Sequence, residues 1–203
     1  MLNFIKVLFS ILFISTFIYS QDDAPTVANP ISDVTVNEDA SNTTIDLTSV
    51  FTDVDNDDSA ITKAVQSNSN SSLVSASISG NTLTLDYESN QNGSATITVR
   101  GTSNGLTVDD SFTVTVTAVN DEPSFTKGLD ITVNEDSGTS TTATWATSIS
   151  AGPSNESSQS LTFNVSNNNT SLFSSAPSVN SSGTLTFTSA TDANGSATVT
   201  VSV

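Results

Sequence analysis

The chain of 203 residues contains no cysteine and no histidine, and only four of its residues are lysine or arginine. The missing cysteines exclude disulfide frameworks, thiolate zinc sites and iron–sulfur clusters, and the missing histidines exclude a Ser-His-Asp triad and histidine-ligated metals. Twenty-one Asp and Glu residues give a formal net charge of −17, which repels phosphate backbones and argues against a nucleic-acid partner. Multivalent cations are the partners that this charge attracts.

The first 20 residues differ in composition from the rest of the chain. One lysine, Lys6, precedes an apolar run from Val7 to Tyr19, after which the sequence changes abruptly to QDDAP. This pattern predicts a secretory signal peptide over residues 1–20, ending at Ser20. The apolar run is shorter than the roughly 20 residues that a transmembrane helix needs. We therefore expect a secreted mature chain that does not span the membrane, with a retained anchor as the alternative.

Short segments that alternate apolar residues with threonine recur through the remaining sequence. They include VTV at 34–36, LTL at 83–85, ATITV at 95–99 and FTVTV at 112–116, separated by stretches rich in Asn, Asp, Ser and Gly. A period of two between turn residues predicts half-buried strands. No stretch after residue 20 has the apolar spacing of a helix, so the predicted fold class is all-β.

Two segments occur twice. VTVNEDAS at 34–41 recurs as ITVNEDSG at 131–138, and NGSATITV at 92–99 recurs as NGSATVTV at 194–201. Each copy has about the size of an immunoglobulin-like sandwich of roughly seven strands. The predicted organisation is a first sandwich over 21–119, a linker over 120–123 and a second sandwich over 124–203.

The second copy stops before the equivalent of the last strand of the first copy. The core face of that strand is expected to consist of Phe112, Val114, Val116 and Ala118. Without it, the second sandwich should be incomplete and open at one edge, where it could pair with another chain. We expect the sequence to be the amino-terminal part of a longer repeat protein.

The acidic motifs NEDA, FTDVDNDD, LDYE and VNDEP follow one another in the first copy. In this order they resemble the bacterial cadherin-like and immunoglobulin-like tandem repeats of large secreted adhesins, and the resemblance covers residues 22–203. It implies tandem cadherin-like sandwiches, a secreted or cell-surface location on a bacterium, and calcium ions at the ends of the domains.

The resemblance also implies which residues bind calcium. The implied ligands are Glu38 at the end of the first strand, Asp53 and Asp55 in the D-x-D loop, Asp86 and Glu88 in the L-D-x-E turn, and Asn120 and Asp121 in the linker. Asp22 and Asp23 precede the first copy as Asn120 and Asp121 precede the second. In the second copy Glu135 corresponds to Glu38, and Ser103 stands where the family carries a further Asp.

Two calcium sites of unequal strength follow from this ligand set. Asp53 and Asp55, with Asp22 or Asp23, should form the stronger site at the free tip of the first domain. The site between the domains, with Glu38, Asp86, Glu88 and Asp121, should be weaker because the second copy has no D-x-D motif. Its corresponding loop offers only Asn155 and Glu156.

Other interpretations of these residues were compared with calcium binding. An EF-hand is excluded because Asp58 occupies the position of the required glycine and Ala64 that of the final glutamate. The loop around Asp53 could also be an ordinary solvated turn.

Asp86 and Glu88 point to the same side of one strand, but a thin sandwich leaves little room for a catalytic cleft, so no enzyme activity is expected. Trp145 is expected in the core rather than on a sugar-binding surface.

The function expected from these features is that of a calcium-binding structural or adhesion module in a secreted or cell-surface repeat protein. Its partners would be calcium, neighbouring repeats and a surface glycan or protein ligand. The alternative is a passive spacer or accessory region of a larger secreted enzyme.

The mature protein should begin near Gln21, because the composition changes there. Intact-mass measurement on the secreted material would test this. A mass that includes residues 1–20 would instead support a retained anchor.

Overall fold

A computed structural model describes residues 21–203; the predicted signal peptide, residues 1–20, lies outside the described residues. Strands dominate this part of the chain. Its helical elements are three single turns of 3-10 helix, at Asp58–Ala60, Ser154–Glu156 and Thr170–Leu172. The all-β prediction is confirmed. None of the helices within residues 21–203 has the length and hydrophobicity needed to cross a bilayer.

Domain 1, residues 21–119, contains nine strands. They are β1 (Thr26–Val27), β2 (Val34–Asn37), β3 (Thr43–Asp46), β4 (Phe51–Thr52), β5 (Thr62–Asn68), β6 (Val74–Ser79), β7 (Thr82–Tyr87), β8 (Gly93–Ser103) and β9 (Leu106–Thr117). One sheet has the order β2-β9-β8-β5, another has the order β3-β7-β6, and β1 pairs with β4. The domain is therefore a β-sandwich with one core between its sheets.

Strand β9 occupies a central position in the four-stranded sheet. It runs antiparallel to β8 and parallel to β2. Phe112, Val114 and Val116 are buried between the sheets, as the alternating pattern predicts. The prediction for Ala118 was wrong: β9 ends at Thr117, and Ala118 is exposed where the chain leaves the sheet.

Domain 2, residues 124–203, contains seven strands. They are β10 (Ser124–Thr126), β11 (Thr139–Thr142), β12 (Thr147–Ser150), β13 (Asn164–Asn167), β14 (Phe173–Val179), β15 (Leu185–Ser189) and β16 (Val199–Ser202). They form the sheets β10-β12, β11-β15-β14 and β13-β16. Each of these pairings repeats a pairing of domain 1, because β11-β15-β14 corresponds to β3-β7-β6 and β13-β16 corresponds to β5-β8.

The core of domain 2 is much smaller than that of domain 1. Four buried residues form it, namely Ala146, Val179, Leu185 and Phe187. Partly buried aromatic rings pack around them, including Trp145, whose indole N–H donates to the Leu129 carbonyl at 2.9 Å. Sixteen buried residues form the core of domain 1. Domain 2 should therefore be the less stable of the two, since apolar burial is the main stabilising contribution.

Gly101 in β8 lies directly against the fully buried ring of Phe51. A Cβ atom at position 101 would approach Phe51 Cγ to 2.8 Å. We expect Gly101→Ala to destabilise domain 1 by about 1–3 kcal/mol through overpacking.

Denaturant unfolding would measure the change in free energy for Gly101→Ala. The double variant Phe51→Leu with Gly101→Ala is the control, because a smaller side chain at position 51 relieves the clash. If the two substitutions were strictly additive, the clash with Phe51 would not be the cause of the destabilisation.

Candidate metal sites

Acidic and amide side chains converge where the chain enters domain 1. We call this the tip cluster; its members are Asp22, Asp53, Asp55, Asn56 and Asn104. The backbone N–H of Asp23 donates to Asp55 Oδ2 at 2.8 Å, and Asn56 Nδ2 donates to Asp22 Oδ1 at 2.7 Å. Asn104 Nδ2 donates to Asn56 Oδ1 at 2.8 Å. The incoming chain and the D-x-D loop are thus in direct contact, as the sequence predicts for Asp22, Asp23, Asp53 and Asp55.

Asp53 is the buried member of the tip cluster, with 9% of its surface exposed. Its Oδ1 atom accepts the N–H groups of Asp55 and Asn56, at 2.9 and 3.1 Å. The N–H of Asp55 contributes most to lowering the pKa of Asp53, and burial opposes this effect. The buried Ser103 hydroxyl also lowers the pKa of Asp53. Oδ2 of Asp53 is buried without a hydrogen-bond partner.

A second group of acidic and amide residues joins the two domains. We call it the linker cluster; its members are Glu38, Asp121, Asn155 and Glu156. Oε1 of Glu38 accepts the N–H of Val119 at 2.6 Å, while Oε2 accepts Asn155 Nδ2 from domain 2 at 3.1 Å. The N–H of Asp121 donates to Glu156 Oε1 at 2.8 Å. Both Glu38 and Glu156 are 5% exposed.

The two clusters share one structural device. In each domain, the backbone N–H of an aspartate in the entering segment donates to a carboxylate in the corresponding loop region. Asp23 donates to Asp55, after β4, and Asp121 donates to Glu156, after β12. Asp23 and Asp121 are 98 residues apart, which matches the repeat. Glu156 therefore occupies the role that Asp55 has in domain 1, although the D-x-D motif is absent from domain 2.

The linker cluster concentrates negative charge: among residues 21–203, the charges that shift the pKa of Asp121 are all carboxylates. Burial raises the pKa of Asp121, and the carboxylates of Glu156, Asp39 and Glu38 raise it further. Oδ2 of Asp121 and Oε2 of Glu156 are both buried without a hydrogen-bond partner. A Cβ atom on Gly152 would meet Glu156 Oε2 at 2.0 Å, so glycine at 152 leaves room for this carboxylate. Orphaned buried oxygens of this kind are costly unless a cation or water binds them.

The remaining residues of the implied ligand set lie at the margins of the clusters or outside them. Asp86, in β7, and Glu88 are exposed, and neither is among the charges that raise the pKa of Asp121. Asn120 contacts the linker through its side chain, since its Nδ2 donates to the Asp121 carbonyl at 2.8 Å and its Oδ1 accepts Gln159 Nε2 at 3.1 Å. Glu135 is exposed in domain 2.

No group of three or more acidic residues within 21–203 is arranged so that it could hold a metal ion by itself. A cation in either cluster would therefore also need amide oxygens, backbone carbonyls or water, all of which calcium accepts. Asp53 in the tip cluster, and Asp121 with Glu156 in the linker cluster, fit such a cation because each has a buried oxygen free to bind it.

The sequence analysis named Glu156 only as one of two residues that the loop of the second copy offers, and it did not predict its contact with Asp121 or the effect of Asp39 on the pKa of Asp121. A signal for Glu156 was present, since it is the only Asp or Glu between Asp136 and Asp192. A carboxylate that stands alone in a polar stretch of more than fifty residues is a candidate site residue even though it belongs to no motif. Asp39 repeats as Asp136, and each accepts a backbone N–H from the loop after β7 or β15, from Asn90 at 2.9 Å and from Asp192 at 3.0 Å.

Comparisons with known proteins give only distant similarities. No protein-family model matches the chain. No curated protein matches it either. Among solved structures, the chain is 16% identical to the titin domains z1z2 in complex with telethonin, with a TM-score of 0.37, covering 90% of this chain and 95% of that one.

Much longer enzymes are also among the similar structures. The endo-fucoidan hydrolase MfFcnA4 from glycoside hydrolase family 107 is 14% identical with a TM-score of 0.37, and the alignment covers 88% of this chain but 28% of the hydrolase. For the related MfFcnA9 the identity is 12% and the TM-score 0.39, with 90% of this chain and 32% of that chain covered. The chain thus spans about a third or less of these hydrolases. The β-sandwich assignment rests on strand pairing within each domain, because TM-scores this low carry no argument.

The raised pKa of Asp121 predicts an unusual pH dependence. The carboxyl of Asp121 holds its proton more tightly in the folded state than in the unfolded state. The folded protein therefore loses stability as the pH rises above 3.8, the ordinary pKa of this carboxyl. With a metal chelator present, we expect wild type to lose stability relative to Asp121→Asn between that pH and neutrality. Asp53, whose pKa is lowered, should show the opposite sign: its contribution is present above 3.8 and is lost as the pH falls.

Urea unfolding at a series of pH values would measure how the free energy of unfolding depends on Asp121 and on Asp53. Glu122→Gln is the matched control, because it removes an exposed carboxylate next to Asp121. A pH-independent difference between wild type and Asp121→Asn would show that repulsion within the linker cluster does not act on stability.

Proposed function

We propose that this chain is a non-catalytic, calcium-stiffened β-sandwich module of a secreted or cell-surface protein of the adhesin type. The all-β fold and the two tandem domains are compatible with such a module. The observation that carries the proposal is the linker cluster, where Glu38 of domain 1 accepts from Asn155 of domain 2, Glu156 accepts the N–H of Asp121, and two carboxylate oxygens are buried without partners.

Calcium suits this arrangement for electrostatic reasons. Glu38, Asp121 and Glu156 repel one another when ionised, and burial in a medium of lower dielectric strengthens that repulsion. A divalent cation neutralises part of this charge and accepts carboxylate, amide and carbonyl oxygens with flexible geometry. In the linker cluster it would be held by Asp121 and Glu156, with Glu38 and Asn155 close by. In the tip cluster it would be held by Asp53 with Asp22 or Asp55.

The mechanical effect follows from the position of the linker cluster. Its carboxylates belong to both domains and to the segment between them, so a bound cation would restrict bending at residues 120–123. Without the cation, repulsion between the same carboxylates favours separation of the domains. A chain of such modules would be extended in calcium and flexible in its absence, which suits a stalk or an adhesion surface.

The two clusters predict separable calcium effects on stability. Extracellular modules bind calcium with dissociation constants of about 10⁻⁴ to 10⁻³ M, so 1 mM calcium should stabilise each occupied domain by about 0.4–1.4 kcal/mol. Asp53→Asn combined with Asp55→Asn should abolish the gain for domain 1. Glu156→Gln should abolish the gain at the linker while leaving that of domain 1.

Calorimetric melts of residues 21–203 with calcium, with magnesium at equal ionic strength and with chelator would measure these gains. Glu122→Gln is the control for Glu156→Gln, because it removes the same charge from an exposed site beside the linker. Asp86→Asn with Glu88→Gln tests the ligand set implied by family resemblance against the one built from the structure. Equal stabilisation by magnesium, or an unchanged gain in both cluster variants, would contradict the calcium proposal.

Small-angle X-ray scattering would report the mechanical effect separately from the binding. The radius of gyration should depend on calcium in wild type and become independent of calcium in Glu156→Gln.

A further inference from the structure

The segment that enters domain 1 is held at its tip by two hydrogen bonds. The N–H of Asp23 donates to Asp55 Oδ2 at 2.8 Å, and Asn56 Nδ2 donates to Asp22 Oδ1 at 2.7 Å. Asp22 is half-buried, whereas Gln21, the residue directly before it, is exposed. Gln21 thus lies beside the tip cluster with its side chain accessible to solvent.

A glutamine at the amino terminus of a chain has a reaction that is closed to it elsewhere. The change of composition after Ser20 predicts cleavage there, which frees the α-amino group of Gln21. The α-amino nitrogen and Cδ of the side-chain amide then stand at the two ends of a potential five-membered ring. Both reacting groups belong to one residue, so their effective concentration is high.

We propose that Gln21, once cleavage after Ser20 has made it the first residue, is converted to pyroglutamate. The α-amino nitrogen forms a bond to Cδ of its own side chain, and the bond between Cδ and Nε2 breaks. The leaving nitrogen takes up the proton that the α-amino nitrogen loses and departs as ammonia. The product is a neutral lactam, and the step needs no oxidant, reductant or second reactant.

The lactam changes the charge at the tip of domain 1. A free α-amino group is largely protonated at neutral pH and would place a cation directly before Asp22. The lysine and arginine residues of 21–203 are Lys63, Arg100 and Lys127, so one more cation is a large change in this chain. Cyclisation removes that cation and leaves the full negative charge of the tip cluster.

The lactam also protects the hydrogen bonds of the entering segment. Aminopeptidases need a free α-amino group and shorten a chain one residue at a time. Loss of residues 21–23 would remove the acceptor on Asp22 and the donor on Asp23, and with them both contacts to the D-x-D loop. A cyclised first residue offers no free amine, so the entering segment stays intact where such enzymes are present.

The test uses protein that is secreted after expression of the full chain, residues 1–203, and is incubated at neutral pH until its mass is constant. Amino-terminal sequencing of the intact protein should be blocked, and removal of pyroglutamate with its specific aminopeptidase should expose Asp22. Because Glu38 is the first glutamate of the chain, cleavage after glutamate releases the terminal peptide. Its mass should equal that of residues 21–38 less one ammonia.

Gln21→Asn is the matched control. It keeps the neutral amide but shortens the side chain by one methylene, so the same attack would give a strained four-membered ring. This variant should yield a readable terminus and a peptide that has lost no ammonia. An uncyclised Gln21 in the incubated wild type would overturn the proposal. A terminal peptide that still contains residues 1–20 would overturn it as well, because Gln21 would then have no free α-amino group.

A second measurement tests the protective role of the lactam. Incubation with an aminopeptidase of broad specificity should leave the wild-type mass unchanged and shorten Gln21→Asn. Equal resistance of the two proteins would show that the contacts of Asp22 and Asp23, and not the lactam, protect the entering segment.

Discussion

Alternation of apolar and hydroxylated side chains along the strands is the constraint on which both domains depend. Over residues 95–103 of β8 and 112–116 of β9, every second residue is buried between the sheets, and the intervening residues are threonines except for Arg100. Because the period is two, a shift of one residue would place threonine in the core and valine in water. The same alternation fixes which residues a neighbouring strand must present.

The buried carboxylates of residues 21–203 lie at the ends of the sandwiches and outside the strands. Glu38, Asp53 and Glu156 lie at a strand end, in a loop and in a single turn of 3-10 helix, where backbone N–H groups donate to their carboxylates. These hydrogen bonds hold the carboxylates in place, where they repel one another. The repulsion contributes to the raised pKa of Asp121. The proposed cation would neutralise part of this charge and link the two domains.

The two copies differ in these end regions. Domain 1 uses a dense D-x-D loop, whereas domain 2 presents the single carboxylate of Glu156 beside Gly152. The hydrogen bond from the preceding aspartate survives this change, from Asp23 to Asp55 in one case and from Asp121 to Glu156 in the other. A geometric role has thus been kept while the motif that marks it was lost.

The sequence by itself determined the all-β class and the twofold repeat, because these follow from local alternation and from offsets along the chain. The proximity of Asp22 and Asp23 to the D-x-D loop was implied by the family resemblance. The sequence did not determine that Glu156 faces Asp121, or that Asp86 and Glu88 stay exposed beyond both clusters. Those relations join residues 35 or more positions apart, across loops whose paths depend on how two sandwiches pack end to end. Side-chain convergence over such separations has no periodic trace in the sequence, and only the tertiary structure decided it.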